Sequence, residues 1–154
     1  MNAGPALLWD DVHKSFDGNK AVDGVSLEVR RGEFAAITGH SGSGKTTLLR
    51  MAAGLLRPDR GRVVLGSDAG AGQPVLVFQD YLLFPHLRVV DNVSFAPRAK
   101  GLGAAASRRI ALDLLEQLGL DDKARAWPGE LSGGQQQRVA IARALASEAQ
   151  VLLL

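Results

Sequence analysis

The stretch Gly39-His40-Ser41-Gly42-Ser43-Gly44-Lys45-Thr46 decides how this chain folds. Its spacing is G-x-x-x-x-G-K-[S/T], in which a glycine-rich loop joins a strand to a helix and turns its backbone N–H groups toward a phosphate. Phe34–Thr38 precedes the loop as an apolar run without alternation, which predicts a strand covered on both faces. A helix is predicted to start at Lys45, so the expected context is strand, loop and helix.

The residue types in this loop fit the chemistry of a polyphosphate. Gly42 and Gly44 allow the backbone to curl where a Cβ would clash. The helix start presents free N–H groups and about half a positive charge. Lys45 adds a full positive charge, and the Thr46 hydroxyl can ligate Mg²⁺, with Thr47 as a neighbouring hydroxyl. The motif predicts binding of a nucleoside triphosphate.

Periodicity places further strands and helices around the loop. The predicted strands are Leu7–Val12, Val25–Val29, Phe34–Thr38, Gly61–Leu65, Val75–Phe78 and Val151–Leu154, with a loop over Gly66–Gln73. The predicted helices are one from Lys45 with the stripe Leu48, Ala52 and Leu55, one over Ser107–Leu118 with Gly119 as C-cap, and one over Leu131–Ser147. Strands that alternate with helices predict an α/β domain with a mainly parallel core sheet.

A second motif, Leu131-Ser132-Gly133-Gly134-Gln135, opens the last predicted helix. Ser132 and Gln135 have the S-x-x-Q spacing of a capping box. That geometry does not require Gly133 and Gly134, and two glycines in a helix cost about 1 kcal/mol each relative to alanine. They are explained if a ligand such as a terminal phosphate approaches the helix start closely.

Composition excludes several classes of protein. The 154 residues are 46% hydrophobic and 22% charged, which is typical of a globular domain. There is no cysteine, so disulfides and thiolate metal sites are excluded. No apolar run approaches the roughly 18 residues of a membrane helix. The net charge is only +2 and the basic residues do not cluster, so no nucleic-acid partner is expected.

With both motifs present, the sequence from about Leu7 to Leu154 resembles the ATP-binding subunit of an ABC transporter. Gly39–Thr47 is similar to the Walker A loop of that family, and Leu131–Gln135 to its signature motif. The resemblance implies an α/β fold, a P-loop NTPase core with a mainly parallel sheet, an antiparallel β portion at the N-terminus and a helical subdomain over about residues 88–130. It also implies that the cofactors are ATP and Mg²⁺.

The resemblance assigns roles to residues outside the loop. Phe16 lies where the family stacks an aromatic ring on adenine, with Val22 as an apolar flank; an ordinary core aromatic is the alternative for Phe16. Gln79 occupies the Q-loop position, where the amide contacts Mg²⁺; the alternative is a solvated polar residue. The implied ATP-binding set is Phe16, Val22, Gly39, Ser41, Gly42, Ser43, Gly44, Lys45, Thr46, Thr47 and Gln79, with Thr46 and Gln79 at the metal.

The resemblance also implies partners. Two ABC domains, as a homodimer or a pair, sandwich two ATP molecules, so Ser132, Gly133, Gly134 and Gln135 act in trans. The region Gln79–Leu87 lies beside the groove for transmembrane permease subunits, although its apolar segment Tyr81–Leu87 could also pack against the helical subdomain. The chain looks most like importers for oxyanions, ferric iron, polyamines and sugars. We expect a cytoplasmic protein, peripheral on the inner face of the cell membrane.

The sequence departs from the family pattern at its end. Val151–Leu154 supplies the apolar strand of Walker B, but the Asp and the catalytic Glu of that motif, and the switch His, would lie beyond Leu154. We therefore expect residues 1–154 to be one incomplete domain that binds Mg-ATP weakly and hydrolyses almost none. The alternatives are a soluble ABC ATPase without a transport role and a catalytically inert ATP-binding module that regulates a partner.

Overall fold

The structure, a computed structural model, describes residues 4–66 and 73–154. Contacts divide these residues into two compact units. The first takes the described residues up to Leu76 together with Leu153, and the second takes Val77–Leu152 together with Leu154. Within the described ranges no helix has the length and apolar character to cross a membrane.

A three-stranded antiparallel sheet dominates the first unit. Its strands are β1 (Leu7–Phe16), β2 (Asn19–Val29) and β3 (Arg60–Leu65), in the order β2-β1-β3. Leu7 pairs with Val29 on one side and with Leu65 on the other. Both β1 and β2 extend beyond their predicted bounds, because the Asp17-Gly18 turn closes a tight hairpin. The antiparallel portion expected at the N-terminus is confirmed.

Helix α1 (Lys45–Ala52) packs on this sheet through Leu48, Met51 and Ala52. The indole N–H of Trp9 in β1 donates a 3.2 Å hydrogen bond to the Leu48 carbonyl and so satisfies a buried polar group. The helix ends before Gly54, which has φ +71°. Leu55 was predicted to continue the buried stripe, but it lies beyond the helix and is 60% exposed.

The predicted strand Phe34–Thr38 is wrong. Residues 33–40 have no regular secondary structure, and Phe34 is 87% exposed. An apolar run without alternation becomes a strand only where other strands pair with its edges and other elements cover its faces. Among the described residues nothing does either, so the segment is an extended connection.

Two short strands, β4 (Val75–Leu76) and β5 (Leu152–Leu153), form a separate two-stranded sheet. They are shorter than the predicted Val75–Phe78 and Val151–Leu154. Of the expected mainly parallel core sheet, the described residues show only this pair. The predicted loop over Gly66–Gln73 lies, except for its two end residues, outside the described residues.

Three helices form the second unit: α2 (Val89–Ala99), α3 (Ala104–Gln117) and α4 (Gly133–Ala146). Each packs against the other two around an apolar core. That core comprises Val89, Val90, Val93, Ala111, Leu115, Leu120, Ala124, Leu131, Val139, Ala142 and Ala146. The C-cap of α3 is Leu118, one residue before the predicted Gly119; Gly119 follows it with φ +63°, and its N–H donates to the Glu116 carbonyl. The mixed α/β class is confirmed.

Candidate functional site: a glycine loop at the start of α1

The start of α1 is built to receive an anion. Gly44 is its N-cap with φ +86°, and no side chain caps the helix. Among the described residues no acceptor takes the backbone N–H groups of Lys45, Thr46 or Thr47. These three donors lie in the first turn of the helix, at the positive end of its dipole. An oxyanion is the ligand that such a helix start favours.

Gly44 cannot be replaced without rebuilding the loop. A Cβ at this position would lie 2.2 Å from the Ala21 carbonyl oxygen and 3.3 Å from Val22 Cγ2. Strand β2 therefore packs directly beneath the loop. Val22 is only 5% exposed, so its side chain supports the loop from below and offers little surface to a ligand. Gly42, with φ +81°, needs glycine for its backbone conformation alone, because its Cβ would meet open space.

The Lys45 ammonium group lies inside the curl of the loop. Nζ donates hydrogen bonds to the carbonyl oxygens of Gly39 (2.8 Å) and His40 (2.7 Å), and a weaker one to Ser43 Oγ at 3.3 Å. No carboxylate lies within ion-pair distance of it in the part of the chain that the structure describes. The charge is thus balanced only by neutral oxygens, which leaves it able to attract an anionic ligand.

The other loop positions present hydroxyl groups. Ser41 and Thr46 are exposed, and Thr47 is half-buried. The Thr46 hydroxyl has no hydrogen-bond partner within residues 4–66 and 73–154, so an oxygen-seeking cation could take it as a ligand. Over the same ranges no three His, Asp or Glu side chains group into a cation site.

Phe16, at the end of β1, has an accessible aromatic face. Its side chain is 47% exposed, which excludes the alternative of an ordinary core aromatic. The ammonium group of Lys14 lies 5.7 Å from the ring centroid, close enough for a cation–π contact. A flat heterocycle could therefore stack on this ring.

The second unit carries the other glycine motif at the start of α4. Ser132 Oγ accepts from the Gln135 N–H at 3.4 Å, and Gln135 Oε1 accepts from the Ser132 N–H at 2.9 Å, which confirms the capping box. Gly133 and Gly134 are exposed, and a Cβ at either would meet nothing within 4 Å. Neither glycine is required by the packing of the described residues, so both are left to be explained by an external ligand.

Gln79 lies at the rim of a pocket of about 220 Å³ in the second unit. Tyr81 lines it on the same segment, and Gln137 and Ile141 line it from α4. Gln79 is exposed, and its amide makes no hydrogen bond with any described residue. It is therefore free to bind a ligand or a cation.

Two polar residues that the sequence reasoning did not single out organise the segment after Gln79. Asn92 of α2 is fully buried and hydrogen-bonds to the backbone of Phe84, Leu87 and Arg88. Arg143 of α4 donates to the carbonyl oxygens of Tyr81 and Leu82. An asparagine and an arginine on the apolar sides of two helices were the available signals.

The structure divides the predicted residues into two groups. Phe16, Val22 and the loop Gly39–Thr47 belong to the first unit, and Gln79 and Ser132–Gln135 belong to the second. It brings together the members of the loop, with Val22 beneath Gly44. In the second unit it forms the capping box and places Gln79 beside α4 residues at one pocket.

Similarity to known proteins extends over nearly the whole chain. Residues 22–154 match the family model described as "ABC transporter". The chain is 42% identical to the spermidine/putrescine import ATP-binding protein PotA of Vibrio vulnificus (strain YJ016), over 100% of this chain and 43% of that protein. It is 44% identical to the sulfate/thiosulfate import ATP-binding protein CysA of Nephroselmis olivacea, over 97% of this chain and 45% of that protein.

Among solved structures, the chain is similar to the ATP-binding cassette MJ0796, in a dimeric post-hydrolysis state bound to ADP and Pi. The TM-score is 0.83 and the sequence identity 32%, with 95% of this chain and 72% of that chain covered. The chain spans less than half the length of the two curated relatives.

Proposed function

Since this chain belongs to the ABC transporter family, we propose that it is the ATP-binding portion of an importer subunit, in which the binding and hydrolysis of ATP drive solute transport. The observation that carries this proposal is the helix start at Gly44–Thr47, where free N–H groups stand beside a loop that holds the Lys45 ammonium without a carboxylate partner among the described residues. PotA and CysA are named for different solutes and match this chain at nearly equal identity, so the proposal is for an importer subunit as a class.

In this proposal the ATP phosphates lie in the curl of Gly39–Thr47. The N–H groups of Lys45, Thr46 and Thr47 donate to phosphate oxygens, and Lys45 Nζ exchanges its bonds to loop carbonyls for bonds to the outer phosphates. Ser41 and Ser43 line the same loop. The adenine stacks on Phe16, whose ring face is accessible, and Val22 acts indirectly by supporting Gly44.

Mg²⁺ fits the same loop. The exposed Thr46 hydroxyl would hold the ion directly. For Gln79, whose amide makes no hydrogen bond with a described residue, the family resemblance alone supports a contact with Mg²⁺. Bound there, Mg²⁺ would neutralise charge on the outer phosphates.

The signature residues complete the site of a second copy or of a paired ABC domain. The terminal phosphate of ATP bound by the partner would be contacted by Ser132 Oγ, by the free N–H groups at the start of α4 and by the Gln135 side chain. Gly133 and Gly134 would allow that phosphate to approach the backbone. The open space at both glycines supports this role.

Gln79–Leu87 is the region that we assign to the permease. Leu82 is 53% exposed, and Phe95 of α2, 48% exposed, lies with its ring centroid 4.8 Å from that of Phe84. These apolar groups suit a helix of a membrane subunit. The protein would then be held at the cytoplasmic face of the membrane by its permease.

A mixing experiment tests the arrangement in trans. In the full-length protein, Lys45→Ala and Gly134→Asp should each abolish ATP hydrolysis by the homodimer. A one-to-one mixture should recover up to about a quarter of wild-type activity, because half of the dimers are mixed and each has one intact composite site. If each copy used its own signature residues, the mixture would stay inactive. Lys20→Ala, an exposed lysine of the same unit, is the matched control for Lys45.

A further inference from the structure

The segment after Gln79 contains a turn that is unfavourable for its residues. Tyr81 and Leu82 are consecutive, neither is glycine, and both have left-handed backbone conformations, with φ +56° and +42°. Such conformations are costly for residues with a Cβ, and they persist only where surrounding contacts enforce them. The N–H groups of Tyr81 and Leu82 donate locally to the carbonyl oxygens of Phe78 and Asp80, and the strain calls for further contacts from outside the segment.

Arg143 supplies those contacts. Its Nη1 donates to the Leu82 carbonyl oxygen at 2.7 Å, and its Nη2 donates to the Tyr81 carbonyl oxygen at 3.0 Å. The guanidinium carbon lies 5.3 Å from the centroid of the Phe84 ring. One planar group thus holds both carbonyls of the turn and stacks near the next aromatic ring, which a lysine could not do.

Holding the turn with Arg143 costs free energy, because the guanidinium group loses part of its contact with water. Arg143 is half-buried, and burial lowers its pKa from the usual range of an arginine. Among the described residues no carboxylate lies within ion-pair distance to compensate the charge. A glycine at either position would adopt positive φ without strain, and no buried charge would then be needed. Arg143 therefore does something that a glycine would not do, which is to connect the turn to α4.

A second clamp holds the remainder of the segment to α2. Asn92 accepts a hydrogen bond from the Phe84 N–H at 2.8 Å, and its amide nitrogen donates to the carbonyl oxygens of Phe84 and Leu87 at 3.1 and 3.0 Å. The segment is therefore fixed at one end by α4 and at the other by α2. Among the described residues, the hydrogen bonds between α4 and this segment all come from Arg143, so a displacement of α4 would act on the segment through them.

Helix α4 is continuous from its cap at Ser132 to Arg143, a distance of about 16 Å at 1.5 Å per residue. We propose that Arg143 is a positioning residue that transmits displacement of the signature end of α4 to Gln79–Leu87. This inference rests on the proposed function, because the displacement arises when Ser132–Gln135 contact the nucleotide. Nucleotide contact at one end of the helix would then alter the surface assigned to the permease.

Hydrogen–deuterium exchange on the full-length protein, with and without Mg-ATP, tests the inference. In the wild type, ATP should change the exchange of the amides of residues 79–87. Arg143→Lys should speed their exchange without nucleotide by about tenfold and abolish their response to ATP, while ATP affinity stays within about twofold. Arg143→Gln gives the same expectation if the lysine variant does not fold. Arg109→Lys, an exposed arginine on α3, should behave as the wild type.

Two results would overturn the inference and leave the proposed function intact. One is a wild type that binds ATP without any change in exchange over residues 79–87. The other is an Arg143 variant in which this segment still responds to ATP as in the wild type, since Arg143 would then only stabilise the turn. A wild type that binds no ATP would instead refute the proposed function, and the inference with it.

Discussion

Replacing Lys45 with alanine should weaken ATP binding by an amount that its contacts allow us to bound. An ammonium group 4 Å from a phosphate charge contributes about 4 kcal/mol at an effective dielectric constant near 20. Against this, Nζ gives up hydrogen bonds to Gly39, His40 and Ser43, together worth about 2 kcal/mol if each nets 0.5–1 kcal/mol. The net loss on substitution is therefore about 2 kcal/mol, and about 4 kcal/mol if the loop bonds survive in the complex.

Since 1.4 kcal/mol is a factor of ten, this range corresponds to an affinity about 30-fold to several hundred-fold lower. Isothermal titration calorimetry with Mg-ATP measures it directly. Lys20→Ala removes a lysine of the same unit whose ion pair among the described residues is with Asp23, and it should leave the affinity unchanged. If Lys45→Ala bound ATP within threefold of the wild type and unfolded at the same temperature, the assignment of the phosphates to this loop would be refuted.

Three further predictions concern stability. Gly44→Ala should lower the free energy of unfolding in urea by several kcal/mol, because its Cβ would lie 2.2 Å from a carbonyl oxygen of β2. Gly42→Ala has open space around its Cβ and should lower it by only about 1–2 kcal/mol. Equal losses in the two variants would contradict the steric argument. Gly134→Ala should raise stability by up to about 1 kcal/mol yet lower ATP turnover, and a variant with full turnover would remove the signature role. Hydrogen bonds from Lys14 and a backbone N–H lower the pKa of Asp59 below 3.8. Its contribution to stability is therefore present above about pH 4 and is lost as the pH falls through the lowered pKa. Unfolding curves of Asp59→Asn should show less acid destabilisation than those of the wild type.

The features that the sequence predicted correctly are those whose causes are local. The glycine loop, the capping box of α4 and the end of α3 beside Gly119 depend on residues within a few positions of one another. The free energy of each feature depends on the local backbone conformation and on side chains within one helical turn. A reader of the sequence therefore has all the required information.

Features that depend on distant partners could not be read in this way. Phe34–Thr38 has the composition of a buried strand, yet strand formation requires neighbouring strands, and none pairs with it among the described residues. Leu55 continues the spacing of the α1 stripe, but the helix ends first. In both cases the sequence pattern showed that the segment has apolar side chains to bury, but it did not show whether another element lies close enough to cover them.

The turn at Tyr81–Leu82 illustrates the same limit at the functional site. Neither residue is a turn former, and nothing nearby in sequence predicts positive φ. The cause lies about 60 residues away, in Arg143. A single arginine within the run Ala140-Ile141-Ala142-Arg143-Ala144 was a visible exception in the apolar second half of α4, where a charged group is tolerated only if it has hydrogen-bond partners.

The reason for having glycine at positions 133 and 134 differs from the reason at Gly44. Gly44 is required by the fold, since β2 leaves no room for a Cβ. At Gly133 and Gly134 there is room, and alanine would make a better helix. A fold selected for stability alone would not keep two glycines there, so the compensation must come from a ligand that approaches the helix start. The stability gain predicted for Gly134→Ala and its loss of turnover are two consequences of one cause, and they must appear together.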